Sequence, residues 1–345
     1  MDRRIDTLVR QAAREDGLRA ALVRVDIGSR TVGKSAIGNS MAGQAANHRM
    51  HFRIGSIAIP YLVDLLLQLQ DRDRLSLDDR VSKWFPDLPN ADEVTLRMLA
   101  SSTSGYPDWI QGNPVFIDAF LDNPFRQWKT QELVDAAFAR EDACAPGKCF
   151  SYAHTNFVII ERVIGKVTGQ PVGRLMRKRV LRPLGVRQTK ISAFPEIPAP
   201  TLHAYGSDRG PYEDSTSWSP SWTIGKSTIM TATIGDMIKA AKAFGTGALI
   251  SKKASRERFA PITAGLGPFN EDFYYGLGIL VSNGWAFQNP ELNGYTAIAG
   301  YLPSRRISLA LTVTNGRRAA ATGTNYSQKL FTIISEYLTP NHRVG

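Results

Sequence analysis

The stretch His51-Phe52-Arg53-Ile54-Gly55-Ser56-Ile57-Ala58-Ile59 decides how this chain is read. It sets Ser56 after a glycine and ahead of an apolar run broken by Asp64, which predicts a buried helix over residues 56–70. A serine at such a start has two readings. At a helix N-terminus, free N–H groups and the helix dipole stabilise an oxyanion, which suits a nucleophile. Serine is also a common helix cap. Ile59 would share a helix face with Ser56 and offers no base. Pro60 follows it, and a residue before proline is pushed away from helical angles, so the sequence predicts a loosened geometry between positions 56 and 59.

Outward from this stretch, residues 4–15 read as an amphipathic helix with Ile5, Leu8, Val9 and Ala12 on one face. Residues 18–27 and 31–37 read as strands joined by the Gly28-Ser29-Arg30 turn. Helical periodicity recurs over 130–140, 155–168, 171–184 and 233–244, and another helix begins at 95–100. Residues 197–224, rich in Pro, Ser, Gly and aromatics, read as an irregular crossing. Residues 275–282, 295–301 and 307–314 are strand-like, and 325–338 closes the chain as an amphipathic helix. Strands near both ends around a helical middle predict one antiparallel sheet assembled from both termini, with a helical lobe inserted and a ligand cleft between the lobes. The expectation is a single domain over 1–345, its α/β lobe from about 1–55 and 245–345 and its helical lobe about 56–244.

With 345 residues, 43% hydrophobic and 21% charged, the composition is that of a globular chain able to bury a substantial core. No uninterrupted apolar run reaches transmembrane length. The start, Met1-Asp2-Arg3-Arg4-Ile5-Asp6, lacks the apolar stretch of a signal peptide; a trimmed leader would make the chain periplasmic or secreted, otherwise it is cytoplasmic. The net charge of +11 favours an anionic surface such as a cell envelope. No nucleic-acid partner is expected, because the basic residues are scattered and no recognition motif is present. Groups such as Arg177-Lys178-Arg179 and Lys252-Lys253 fit solvated helix faces. Cys144 and Cys149 bracket Ala145-Pro146-Gly147-Lys148, where a Pro-Gly turn brings flanking residues near disulfide distance; two free thiols are the alternative. Two cysteines without a histidine at ligand spacing make no zinc site.

Several phrases carry a family resemblance. Phe52-Arg53-Ile54-Gly55-Ser56 is followed by Leu75-Ser76-Leu77-Asp78-Asp79 and by Val94-Thr95-Leu96-Arg97-Met98-Leu99, leading to Ser102-Thr103-Ser104-Gly105. Pro146-Gly147 precedes Phe150-Ser151-Tyr152, and Gly165-Lys166-Val167-Thr168-Gly169-Gln170-Pro171 and Pro183-Leu184-Gly185-Val186 complete the set. Over residues 18–338 the chain resembles the serine β-lactamase and penicillin-binding family, near its class C-like esterases and D-aminopeptidases. The resemblance implies a β-lactamase-like α/β (α+β) fold, an antiparallel sheet flanked by helices, and a serine hydrolase acylated at Ser56.

The family's reactive motifs are altered. Its lysine, three residues after the serine, is Ile59 here; its Tyr-x-Asn is Tyr152-Ala153-His154; and its Lys-Thr-Gly or His-x-Gly is Gln288-Asn289-Pro290. Its His-Thr-Ser-Gly has become Ser102-Thr103-Ser104-Gly105. Tyr152, whose ordinary pKa is ~10, is then a better hydrogen-bond donor than base, while the imidazole of His154 suits proton acceptance near neutrality. Lys226 is either a substitute amine at the cleft or a solvated surface residue. Gln288 and Asn289 either orient a substrate carbonyl or decorate a strand edge. The N–H of Ser56 and a backbone N–H near Glu291 are the expected oxyanion donors. Trp109, Trp218, Trp222 and Trp285 are candidates for cleft wall or core. With no cationic third motif, a neutral ester or small amide is the expected substrate, and no cofactor or metal is implied. The rival reading is a catalytically silent relative that keeps the cleft for binding or scaffolding, since losing a general base removes roughly 10²–10⁴-fold in rate.

Overall fold

The structure is a computed structural model that describes residues 2–344. Fourteen strands form among these residues: β1 (Leu18–Ile27), β2 (Arg30–Met41), β3 (Gln44–Ala45), β4 (His51–Arg53), β5 (Lys190–Ile191), β6 (Tyr205–Gly206), β7 (Glu213–Asp214), β8 (Met230–Thr233), β9 (Phe273–Tyr275), β10 (Leu280–Ser282), β11 (Trp285–Gln288), β12 (Glu291–Leu292), β13 (Tyr295–Leu302) and β14 (Ile307–Asn315). The helices are α1 (Arg3–Asp16), α2 (Ile59–Gln70), α3 (Leu96–Ala100), α4 (Pro114–Asp122), α5 (Thr130–Phe138), α6 (His154–Thr168), α7 (Val172–Met176), α8 (Arg182–Leu184), α9 (Ile234–Thr246), α10 (Lys252–Arg258), α11 (Arg317–Ala320) and α12 (Tyr326–Leu338).

The main sheet runs β3-β2-β1-β14-β13-β11-β10-β9, with β12 beside β13. Its centre joins the two ends of the chain: β1 lies antiparallel to β14, Val23 opposite Leu311 and Val25 opposite Leu309. Alternation along β1 explains why both faces are covered. Ala21, Val23 and Val25 meet Ile5 and Val9 of α1 and Leu330, Phe331 and Ile334 of α12. Ala20 and Leu22 face the larger core that contains α2, α6 and α9. A small second sheet, β4-β8-β5, delivers the chain to Ser56.

Two expectations are corrected. Residues 275–282 form not one strand but β9 and β10, interrupted where Gly278 takes φ +67°. There the backbone closes on α2, for a side chain at Gly278 would meet Val63 Cγ2 at 2.6 Å. Nor is the helix loosened before Pro60: Ile59 holds φ −61°, ψ −49°, and a 3₁₀ turn over Gly55–Ala58 runs directly into α2. Pro60 occupies the first turn of α2, where the Ser56 carbonyl one turn back already accepts the Ile59 N–H, so the missing N–H costs little, and the buried packing of Ile57, Ala58 and Ile59 overrides the pre-proline bias.

Cys144 and Cys149 are joined in a disulfide. The loop they close is stitched to the segment before it: Ala143 N–H donates to Gly105, Gly147 N–H to Thr103 and Ser151 N–H to Ser102. Gly105, at φ +81°, lies so close that a Cβ would sit 2.0 Å from the Cys144 carbonyl oxygen. Because this ladder sets the register of Tyr152, Gly105→Ala should lower stability by roughly 2–4 kcal/mol, read by urea denaturation.

Candidate active site

Ser56 is the second residue of the 3₁₀ turn, not its cap: neither that turn nor α2 is closed by a side-chain hydrogen bond. The capping reading is thereby removed. At this position the Ser56 N–H has no carbonyl one turn back to bond. Gly55 takes φ +49°, and a Cβ there would strike Pro290 Cβ at 2.7 Å, so the turn and the opposite wall meet closely beside the serine. Ile59 is fully buried behind the turn.

Tyr152 and His154 arrive from the start of α6, whose N-cap is Ala153. Their rings meet edge to face at 5.1 Å between centroids. Burial raises the Tyr152 phenol well above its usual range, Tyr275 and Asp108 push the same way, and a hydrogen bond with Ser56 opposes them. A phenol so shifted stays protonated and acts as a donor or relay rather than as a base.

The sequence reading missed the partner of His154. Asp108 Oδ2 lies 2.7 Å from His154 Nδ1 and also accepts the His154 backbone N–H at 2.8 Å, so one carboxylate caps α6 and orients the imidazole. Its other oxygen accepts the Ile110 N–H at 2.6 Å. Asp108 is buried; burial raises its pKa, but the His154 charge, the His154 hydrogen bond and the two backbone donors outweigh this and hold the carboxyl below the usual range. Trp109 packs against the His154 ring at 5.7 Å. An Nδ1–H donated to Asp108 leaves Nε2 of the neutral ring with its lone pair free. The sign of the pH linkage follows. A depressed carboxyl contributes stability above its unfolded pKa of ~3.9 and loses it as pH falls through the lower folded value. Wild type should therefore lose stability more steeply than Asp108→Asn below about pH 4, followed by fluorescence during acid unfolding.

Two chambers share Ser56, Gln111, His154, Pro290 and Glu291. The larger, about 400 Å³, is walled by Phe150, Tyr152, Phe269, Phe273, Tyr275 and Leu280. The smaller, about 100 Å³, is bounded by Ile110, Trp222, Thr223, Ile224 and Leu292. Gln288 and Asn289 line the larger chamber. The Gln288 amide nitrogen is already engaged, donating to the Gly278 carbonyl at 2.8 Å and to the Tyr275 hydroxyl at 3.3 Å. The Asn289 amide donates to Gln328 at 3.1 Å. Burial and the neighbouring Asp208 raise the Glu291 carboxyl. Pro290 separates β11 from β12, which lets Glu291 re-enter the sheet opposite Thr296.

Lys226 is not brought to this cleft. It is exposed and lines neither chamber. Glu161 accepts the Ser227 N–H at 3.2 and 3.3 Å, and Gly225 leaves no room for a Cβ against Glu161, so the loop is drawn onto α6 with Lys226 on its outer side. Of the four tryptophans, Trp222 walls the small chamber, Trp285 packs beneath the sheet on Phe331, and Trp109 and Trp218 fill a helical core.

Fold and sequence together define a β-lactamase-type hydrolase scaffold. The Beta-lactamase family model matches residues 5–331, and the chain belongs to that family. It is 23% identical over 290 residues to the putative penicillin-binding protein PbpX of Bacillus subtilis, covering 83% of this chain and 67% of that protein. It is 28% identical over 215 residues to esterase EstB of Burkholderia gladioli, covering 58% of this chain and 54% of the esterase. Among solved structures, a D-stereospecific amidohydrolase from Streptomyces sp. superposes with a TM-score of 0.83 at 27% identity, covering 97% of this chain and 99% of that one.

Proposed function

We propose that the protein is a serine hydrolase of neutral esters or small amides in which His154, held by Asp108, replaces the family lysine. The observation that carries this reading is the 2.7 Å contact between Asp108 and His154 on the wall that also holds Ser56. Ser56 Oγ attacks the substrate carbonyl carbon, and its proton passes to His154 Nε2, with the Tyr152 hydroxyl as relay. The oxyanion is met by the free Ser56 N–H and a backbone N–H near Glu291. Collapse expels the alcohol or amine, which takes the proton from His154. Water then attacks the acyl-serine, giving its proton to the same nitrogen; the tetrahedral intermediate collapses by breaking the bond to Ser56 Oγ, which takes that proton back as the acid leaves.

The unequal chambers set the substrate class. The aromatic one suits a bulky apolar acyl group, and the small one a short leaving group. An esterase and an amidohydrolase among the similar proteins support the bond type. Methyl phenylacetate should be hydrolysed with kcat/KM roughly 10- to 30-fold above methyl acetate, measured by pH-stat titration.

A fluorophosphonate probe should label Ser56, with the adduct absent in Ser56→Ala. The rival reading, a binding protein, rests on Ile59 and Pro290 standing where the family has its lysine and glycine. It predicts no adduct and only saturable thermal stabilisation by a ligand.

A further inference from the structure

A second concavity, sharing no residue with the Ser56 chambers, lies where α7 and α8 are joined by a π-helical turn over Arg177–Leu181. It encloses about 270 Å³. Its rim carries Arg177, Arg182, Arg187 and Lys190, all exposed, and its floor is Leu181, Val186 and Ile191. The sequence assigns Arg177-Lys178-Arg179 to a solvated helix face, and Arg177 is exposed on one; the fold also gathers it with three cations from farther along the chain.

Among the described residues none of these four cations forms an ion pair, and Arg177 alone hydrogen-bonds, to the Gly173 carbonyl on its own helix. Asp236, the carboxylate bonded behind the concavity, is already occupied: it is buried and accepts from the Gln188 N–H, the Thr189 hydroxyl and Lys239. A separate group of cations lies outside the hollow, on the α2 side of the same turn. Arg179 is held below its usual range by burial and by the charges of Arg72 and Arg74. Uncompensated like charges around an apolar hollow form a focused positive field with a place for hydrocarbon beneath it.

We propose that this concavity docks the phosphate headgroup of an anionic phospholipid, with the cations on the phosphate and the apolar floor against the glycerol and upper acyl carbons. The floor favours a membrane-borne phosphate over a free one, since a soluble anion gains nothing from Leu181, Val186 and Ile191. The site is separate from the proposed hydrolysis and stands whether or not Ser56 is a nucleophile.

The test is co-sedimentation of the intact protein with vesicles of phosphatidylglycerol and phosphatidylcholine in equal parts, against pure phosphatidylcholine. Wild type should partition to the anionic vesicles, less so as salt rises. The Arg182→Gln/Arg187→Gln variant should lose about 30-fold in partition coefficient, taking about 1 kcal/mol per cation. A Lys252→Gln/Lys253→Gln variant removes the same charge from α10 and should keep its binding. Equal thermal midpoints would show that all three proteins are folded. The proposal fails if wild type does not prefer anionic vesicles, or if the arginine variant binds as wild type does. It fails also if the lysine variant loses as much, which would assign binding to net charge. Displacement of wild type by millimolar inorganic phosphate at constant ionic strength would assign the hollow to a soluble anion and overturn the lipid reading.

Discussion

Asp108→Asn should lower kcat for ester hydrolysis by roughly 10³–10⁴ while KM changes little, because an amide in place of the carboxylate no longer fixes the useful imidazole tautomer. Asparagine can present its NH₂ to His154 Nδ1, which puts the ring proton on Nε2 and removes the lone pair that must accept from Ser56. Asp108 also accepts the His154 and Ile110 N–H groups at 2.8 and 2.6 Å, so part of any loss could come from a disturbed helix start. The charge-conserving variant separates the two effects: Asp108→Glu, which keeps an anion to orient the imidazole, should recover a measurable part of kcat, whereas a disturbed helix start would leave it as slow as Asp108→Asn. Initial-rate assays on variants with wild-type near-UV spectra provide the check.

Arg258→Ala should destabilise the protein by about 3–5 kcal/mol, the largest stability change expected of a single substitution here. Arg258 is fully buried, and its guanidinium lies 2.8 Å from Asp64, itself buried on α2. It also donates to the Pro60 carbonyl at 3.3 Å, so it fastens the first turn after Ser56 to α10. Burial raises the Asp64 carboxyl, and the Arg258 charge and hydrogen bond oppose the rise. Removing the arginine leaves that carboxylate without its cation in the core. The pair is not needed for stability as such. Asp64→Leu combined with Arg258→Met should recover most of the loss, because two apolar chains of similar volume carry no desolvation penalty. Urea unfolding of the single and double variants measures both values, and the double-mutant cycle gives the coupling.

What the sequence made legible followed the strength of its local pattern. β1 runs over the residues expected from its apolar run and the Gly28-Ser29-Arg30 turn that ends it, and α12 starts within one residue of expectation because its apolar face has a clear helical period. The family phrases pointed to Ser56 and Tyr152, and the fold brings both to the lining of one chamber. Four features escaped for physical reasons. Ile59 stays helical because core packing outweighs a pre-proline preference that acts on one residue alone. Residues 275–282 split because Gly278 must approach α2, a contact made by a helix some two hundred positions earlier. Asp108 carried no local signal: it lies 46 residues from His154, outside any helix or strand, and only the tertiary fold brings its carboxylate to the imidazole. Lys226 was drawn toward the cleft by the general need for a cation, but the Glu161 anchor that turns its loop outward is likewise a tertiary contact.

Activation of Ser56 by His154 is the central step of the proposed mechanism. The second-order rate of fluorophosphonate labelling at Ser56, followed by intact mass in wild type and in His154→Gln, measures that activation without a turnover assay. A fall of roughly 10²–10⁴-fold in the variant, with an unchanged thermal midpoint, is the predicted result. Equal labelling rates in the two proteins would contradict it.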